Sequence, residues 1–174
     1  CSFPFTHPLY AGAFPRLGPP IRALLMKHDL LFSVGGDIFT LSLPSDVEPM
    51  PEGLPLVHMD LDPWEIGKNY PAKVAFQGDP KPTLPDPAEA LRRRLSPDAL
   101  KSARTRTTEL GKAREARIAD LRKRAQAESQ PPPNPPLSHV AAVADPGPDE
   151  AIVVDESISS GGGLRDLLKS TDSK

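Results

Sequence analysis

Apolar residues gather in short runs separated by proline- and glycine-rich stretches, which predicts brief elements joined by long connections. Pro4, Pro8 and Pro15 keep residues 1–16 irregular, because proline fixes φ and removes an amide donor. Pro19 and Pro20 then open a helix over 21–28, with Ile21, Leu24, Leu25 and His28 at helical spacing. Residues 30–34 end at Gly35-Gly36, and residues 56–61 end at Asp62-Pro63. Both runs are short and largely apolar, as strands covered on two faces require. Residues 40–55 form a loop punctuated by Pro44, Pro49, Pro51, Gly53 and Pro55. Asp62 as cap and Pro63 at the first helical position predict a short helix to about Asn69, and Lys73 to Phe76 a third strand.

The order helix, strand, loop, strand, helix, strand predicts an α/β fold with a partial open parallel sheet, since the first helix has no strand before it. Asp86-Pro87-Ala88-Glu89 fits a capping box and predicts a helix over 86–95. Ser96-Pro97-Asp98 restarts the chain into a long helix reaching about Gln126. Its apolar stripe, which includes Ala103, Thr107, Ile118, Leu121 and Ala125, is thin and suits a helix lying across a surface. Residues 130–136 are a stiff polyproline-type linker. A brief helix over 137–143, a strand over 151–155 and a helix from Leu164 to Lys169 follow. The segments predicted are thus 1–95, a helical and proline-rich connector over 96–150, and a strand–loop–helix over 151–174.

Composition narrows the function. The 23 prolines among 174 residues are about 13%, against a typical ~5%, so no single core spans the whole length. No apolar run approaches the ~20 residues of a membrane-spanning helix. The lone cysteine, Cys1, excludes a disulfide framework and a cysteine-rich zinc site. The opening residues lack a basic and an apolar region of the secretory type, which sets the expectation of a cytoplasmic protein. The missing initiator methionine sets the expectation that Cys1 is not a natural start. The net charge of −2 is segregated: −4 over 1–86, +6 over 87–130 and −4 over 131–174. The basic middle carries Arg92-Arg93-Arg94 and Arg122-Lys123-Arg124, but Glu109, Glu115, Asp120 and Glu128 interleave with its cations and no aromatic accompanies them. That is a solvated helix face rather than a nucleic-acid surface.

The sharpest candidate chemistry lies at 155–163. Asp155-Glu156, then Ser157, Ser159 and Ser160, then three glycines before a helix can present hydroxyls and amides to a phosphate. No Lys-Ser/Thr follows the glycines, so this is not a Walker loop, and a solvent-exposed turn is the alternative. Ser33-Val34-Gly35-Gly36-Asp37 also ends a strand where parallel sheets take ligands, with a plain tight turn as its alternative. His7, His28, His58 and His139 show no metal-ligand spacing, and His58 reads as a core or edge residue. Asp60 and Asp62 could form an acid pair, but a cap at Asp62 accounts for the second. No catalytic residue and no metal ligand is assigned.

Three stretches carry a family resemblance: His7-Pro8-Leu9-Tyr10-Ala11-Gly12, Leu31 to Phe39 through the Gly35-Gly36 turn, and Val57-His58-Met59-Asp60-Leu61-Asp62-Pro63. They resemble the thiamine diphosphate-dependent decarboxylases and carboligases, the acetolactate synthase and benzoylformate decarboxylase group. The resemblance implies that 1–95 is most of a Rossmann-like central domain, 96–150 a connector, and 151–174 the start of the C-terminal diphosphate-binding domain. It implies a slice of a longer enzyme whose Gly-Asp-Gly…Asn segment for magnesium and diphosphate lies past Lys174. The parent would use thiamine diphosphate and Mg2+ on a 2-oxo acid substrate as a homodimer or homotetramer, with no nucleic acid or membrane partner. The isolated piece would be inactive and bind neither cofactor usefully. By the same resemblance Glu156, Ser157, Ser159 and Ser160 touch the cofactor's diphosphate, with Ile158 offering only its backbone. An ungapped match puts Ser42 where benzoylformate decarboxylases carry an active-site histidine, and serine cannot shuttle protons near neutrality as imidazole does. The reading from another class is a noncatalytic nucleotide-binding or assembly module built on Gly35-Gly36.

Overall fold

The computed structural model describes residues 3–41, 43–127, 135–145, 153–157 and 159–168. The chain divides into two compact units, Ala13–Leu95 and a second made of Cys1–Gly12 with Ser96–Lys174. The units part after Gly12 and after Leu95.

In the unit Ala13–Leu95, α1 (Gly18–Leu25) carries its prolines in the first turn, where an amide has no intrahelical partner anyway. It buries Ile21 and Leu25, one helical turn apart. Gly18 is needed by a close approach: a Cβ there would overlap Ser45 and the Val47 carbonyl. The Arg22 guanidinium donates to the carbonyls of Glu48 (3.1 Å) and Met50 (3.2 Å), so the long proline-rich loop is held against α1. Strands β1 (Leu31–Val34), β2 (Leu56–Asp60) and β3 (Val74–Gln77) form one parallel sheet in the order β1-β2-β3. The register sets Phe32 beside Val57 beside Val74, and Val34 beside Met59 beside Phe76. The central strand is the buried one, with Met59 at 0% and His58 at 2% exposure.

Two predicted details change here. Asp62 to Asn69 form turns, not a helix: the Asp62 carboxylate accepts the Trp64 N–H at 2.9 Å, but Gly67 at φ +71° stops the run from propagating. The capping box at Asp86 does not form either. Asp79 caps earlier, accepting the Lys81 N–H at 2.9 Å, and α2 (Pro80–Thr83) leads directly into α3 (Pro85–Arg94). Asp86 therefore sits inside the first turn of α3, and Glu89 pairs with Arg93 (3.0 Å) and Arg92 (3.5 Å) instead of reaching back.

The second unit is built on α4 (Pro97–Ala127), capped by Ser96, whose hydroxyl oxygen accepts the Ala99 N–H at 3.2 Å. Only Ala125 of α4 is fully buried, as the thin stripe predicts. It packs with Leu137 and Ala144 of α5 (Pro136–Ala144) and Leu167 of α6 (Leu164–Leu167), flanked by Ile118 and Leu121. The N-terminal segment lies on the same helix. Arg114 donates to the Phe5 carbonyl (2.8 Å), and Arg117 donates to those of Ala11 (3.1 Å) and Tyr10 (3.4 Å) and to Asp166 of α6 (2.7 Å). Of the strand predicted over 151–155, Ala151 and Ile152 lie outside the described residues, and Val153 to Asp155 join no ladder. No described strand of this unit offers them a partner. No helix among the described residues is long and apolar enough to cross a membrane.

Candidate functional site

The serine- and glycine-rich loop gathers beside a cavity of about 500 Å³ within the second unit. Asp155, Glu156, Ser157, Ser160 and Gly161 form its polar wall, and His139, Val140, Val143, Val153, Val154 and Leu164 much of the rest. Of the four residues singled out, Glu156, Ser157 and Ser160 therefore share one wall, whereas Ser159 is exposed outside it. Ile158 lies outside the described residues. The loop is folded on itself: Ser157 donates both its backbone N–H (3.0 Å) and, through a short bond, its hydroxyl to Asp155 Oδ1. A Cβ at Gly161 would overlap Ser157 Oγ and force that side chain to shift. Gly163 takes φ +88° to enter α6, and a Cβ there would stand 3.3 Å from Leu137 and 3.4 Å from Leu121.

The C-terminal edge of the parallel sheet is the second candidate, and its donors are already spent. Gly36 N–H donates to Asp60 Oδ2 (2.9 Å), Gly35 N–H to the Met59 carbonyl (2.9 Å), and Asp62 N–H to Asp60 Oδ1 (3.0 Å). The amides of Asp62 and Gly36 hold the Asp60 carboxyl below the usual carboxylate range. Asp60 is thus a structural clamp between the β1 turn and the β2 turn, not half of an acid pair. Asn69 closes the same edge, donating to the Ile38 carbonyl (3.0 Å) and to Thr40 Oγ1 (3.2 Å). His58 Nδ1 accepts the Gly67 N–H at 3.2 Å, which puts the imidazole proton on Nε2; that nitrogen is buried with no partner among the described residues. Its core placement agrees with the sequence, though only one nitrogen is satisfied. Ser42 lies outside the described residues. No group of three or more His, Cys, Asp or Glu among the described residues could hold a metal ion.

The sequence missed Arg114 and Arg117, whose charges belong to a run that reads as a solvated face. Their acceptors, Phe5, Tyr10 and Ala11, lie over a hundred residues away in the chain, so no local pattern could mark them.

The small parallel α/β sheet thus has the Gly35, Gly36 and Asp62 amides of its C-terminal edge bonded within the chain. Residues 1–86, just under half of the chain, match the family model "Thiamine pyrophosphate enzyme, central domain", so this part of the chain is similar to that domain. It is 33% identical over 99 residues to a benzoylformate decarboxylase of Pseudomonas aeruginosa, covering 57% of this chain and 18% of that protein. It is also 33% identical over 86 residues to a probable acetolactate synthase large subunit of Methanococcus aeolicus, covering 49% of this chain and 14% of that protein. The acetolactate synthase large subunit of Corynebacterium glutamicum matches at 32% over 85 residues, 48% of this chain and 13% of its own. The chain thus spans less than a fifth of these curated relatives. No solved structure matches it.

That similarity makes thiamine diphosphate the group whose fit to the loop matters. Its polyanionic diphosphate needs donors and cations. Among the described residues the cavity wall offers two carboxylates, Asp155 and Glu156, and neither lysine nor arginine, while Ser157 has given both its donors to Asp155. The described residues do not fit a diphosphate as arranged.

Proposed function

We propose that this chain supplies the central domain of a thiamine diphosphate-dependent enzyme that decarboxylates or ligates 2-oxo acids. The observation that carries the reading is the family match over residues 1–86, which contain all three strands of the sheet. The relatives named benzoylformate decarboxylase and acetolactate synthase support the 2-oxo acid class. The cofactor, when bound, would supply an electron sink for the electron pair left at the 2-oxo acid's carbonyl carbon as carbon dioxide departs. This chain contributes scaffold: a clamped sheet edge at Asp60, and α1 with its loop pinned by Arg22. Magnesium, a homodimeric or homotetrameric assembly and a cytoplasmic location go with this reading, as does inactivity of the chain by itself. The division into central domain, connector over 96–150 and cofactor-domain start over 151–174 is part of the same proposal. The resemblance alone supports a diphosphate contact at Glu156, Ser157, Ser159 and Ser160; the charges around them oppose it. A nucleotide-binding module on Gly35-Gly36 is not favoured, since both glycine amides are bonded internally.

The test uses enzyme expressed from the whole reading frame that contains this sequence, loaded with thiamine diphosphate and Mg2+. Offered benzoylformate and pyruvate separately, it should release carbon dioxide in a cofactor-dependent way. Pyruvate should give the higher kcat/KM, because Ser42 stands at the matched histidine position. Cofactor-loaded enzyme that releases carbon dioxide from neither acid would overturn the proposal.

A further inference from the structure

We propose that residues 106–110 of α4 form a second seat for an acidic, leucine-bearing helix of a partner protein, built like the seat that α6 already fills eleven residues further along. Arg106-Thr107-Thr108-Glu109-Leu110 and Arg117-Ile118-Ala119-Asp120-Leu121 share one pattern, an arginine followed by an acidic residue and a leucine at the third and fourth positions after it. Eleven residues make three helical turns to within about 20°, so both sets lie along one face of α4, about 16 Å apart. The filled seat shows what such a face takes. Arg117 donates to Asp166 of α6 at 2.7 Å, and Ile118 and Leu121 pack against the cluster that contains Leu167. One covering turn thus gives a carboxylate to the arginine and, at the next residue, a leucine to the apolar pair. The 106–110 set is open. Leu110 is 45% exposed, Arg106 and Thr107 are exposed, and Arg106 has no ion pair among the described residues. The Thr107 hydroxyl donates to the Ala103 carbonyl at 2.9 Å, which leaves its methyl as the counterpart of Ile118. The covered part of the face ends beside this seat, where a Cβ on Gly111 would meet Pro8 at 3.7 Å. Charge selects the occupant. Arg104 and Arg106 border the open stripe of Ala103, Thr107 and Leu110 on its two sides, and Glu109 lies farther round the helix. A second copy of this stripe would bring arginines and no carboxylate to meet them. A strand would leave backbone amides unpaired against a helix face. No aromatic side chain is there to stack on a base. An acidic helix answers all three, and this inference stands apart from the thiamine diphosphate reading.

The probe is a synthetic peptide with the sequence of residues 161–168, Gly-Gly-Gly-Leu-Arg-Asp-Leu-Leu, titrated into the isotope-labelled full chain and followed by nuclear magnetic resonance. Backbone signals of Arg106 to Leu110 should shift on titration. Asp166→Asn in the peptide should weaken binding at these signals about threefold, as expected for an exposed ion pair, and this arm leaves the chain itself unaltered. Leu110→Ala in the chain, at an exposed position where alanine favours the helix, should weaken binding about tenfold through lost apolar contact. Arg106→Glu should weaken the unaltered peptide about tenfold and restore binding, to within about twofold, for a peptide carrying Asp166→Lys. Lys101→Glu, on the opposite side of α4, should change binding by less than about twofold, which separates a local pair from net charge. The proposal is overturned if the signals of 106–110 do not shift, if Arg106→Glu has no larger effect than Lys101→Glu, or if the swapped pair fails to recover. Sedimentation checks the remaining occupant: Leu110→Ala should leave the mass of the chain unchanged, and a dimer that this substitution dissociates would give the seat to a second copy and overturn the proposal. None of these measurements uses a 2-oxo acid, so failure of the enzymatic reading is seen separately in the carbon dioxide assay.

Discussion

Asp60 shows how one side chain fixes a turn that composition leaves loose. Its two carboxylate oxygens take the amides of Gly36 and Asp62, which belong to the connections after two different strands. Those amides keep its carboxyl below the ordinary range, so the folded state holds the ionised form more strongly than the unfolded chain does. The resulting stability is present in full above the unfolded value of about 3.9 and is lost as pH falls through the lower folded value. Asp60→Asn keeps one acceptor oxygen and faces the other amide with an NH2 group, which should cost about 1–3 kcal/mol in urea unfolding at pH 7. The gap between variant and unaltered chain should narrow as the pH drops below 4; a gap that stays constant to pH 2 would mean the carboxylate charge is not what the turn uses. The sequence could show Asp60 beside Asp62 but not which amides they would meet. Those partners come from the parallel register that sets β1 next to β2.

The helices and strands differ in how far local sequence reveals them. β1, β2 and β3 were legible because each is a short, mostly apolar run stopped by glycine, proline or aspartate, and α4 because Ser96-Pro97 marks its start. The helix expected over Asp62 to Asn69 failed because Gly67 outweighs a good N-terminal signal within the first two turns. The span of α3 was legible to within a residue, but not its cap: four prolines, Pro80, Pro82, Pro85 and Pro87, offer competing first-turn positions, and the one side-chain cap formed is that of Asp79 on α2. What no local pattern shows is the attachment of residues 5–11 to α4 through Arg114 and Arg117. Arg117 holds two carbonyls and Asp166 with one planar fork, which lysine cannot reproduce. Arg117→Ala should free this segment, speeding amide exchange at Tyr10, whose N–H bonds the His7 carbonyl, by about tenfold for each ~1.4 kcal/mol lost. The Tyr10 phenol supplies a test of sign. Burial first, then Asp166, pushes its pKa up, while Arg117 pulls it down. If the segment detaches, burial ends and the tyrosine titrates earlier, nearer 10; if it stays seated without its cation, it titrates later. Ultraviolet titration of the variant distinguishes the two, and a later titration would contradict the anchoring role.

Among the described residues the sheet has only three strands, so β1 and β3 each leave one edge without a partner there. The row Phe32, Val57, Val74 lies on one face together with Val34, Met59 and Phe76, since alternate residues of a strand share a side. That face is covered at its centre, where Met59 is fully buried, and open at both margins, with Phe32 41% and Val74 51% exposed. Phe32 and Phe76 close part of the gap, their ring centroids 6.2 Å apart across the row. A flat apolar margin beside an unpaired edge is the usual template for edge-to-edge association, which charged residues at such positions prevent. The apolar strands had predicted coverage on both faces, and the half-open face is where that expectation exceeds what this chain supplies. Val74→Lys places a charge on the exposed margin of β3 while removing little buried surface. It should lower the concentration-dependent association seen by light scattering of the purified chain and change unfolding free energy by no more than about 0.5 kcal/mol, as surface substitutions generally do. The same substitution at Met59, buried at the centre of the row, should instead unfold the sheet, since it would bury an unpaired ammonium. Equal scattering from the Val74→Lys chain and the unaltered chain would mean that association, if present, runs through another surface.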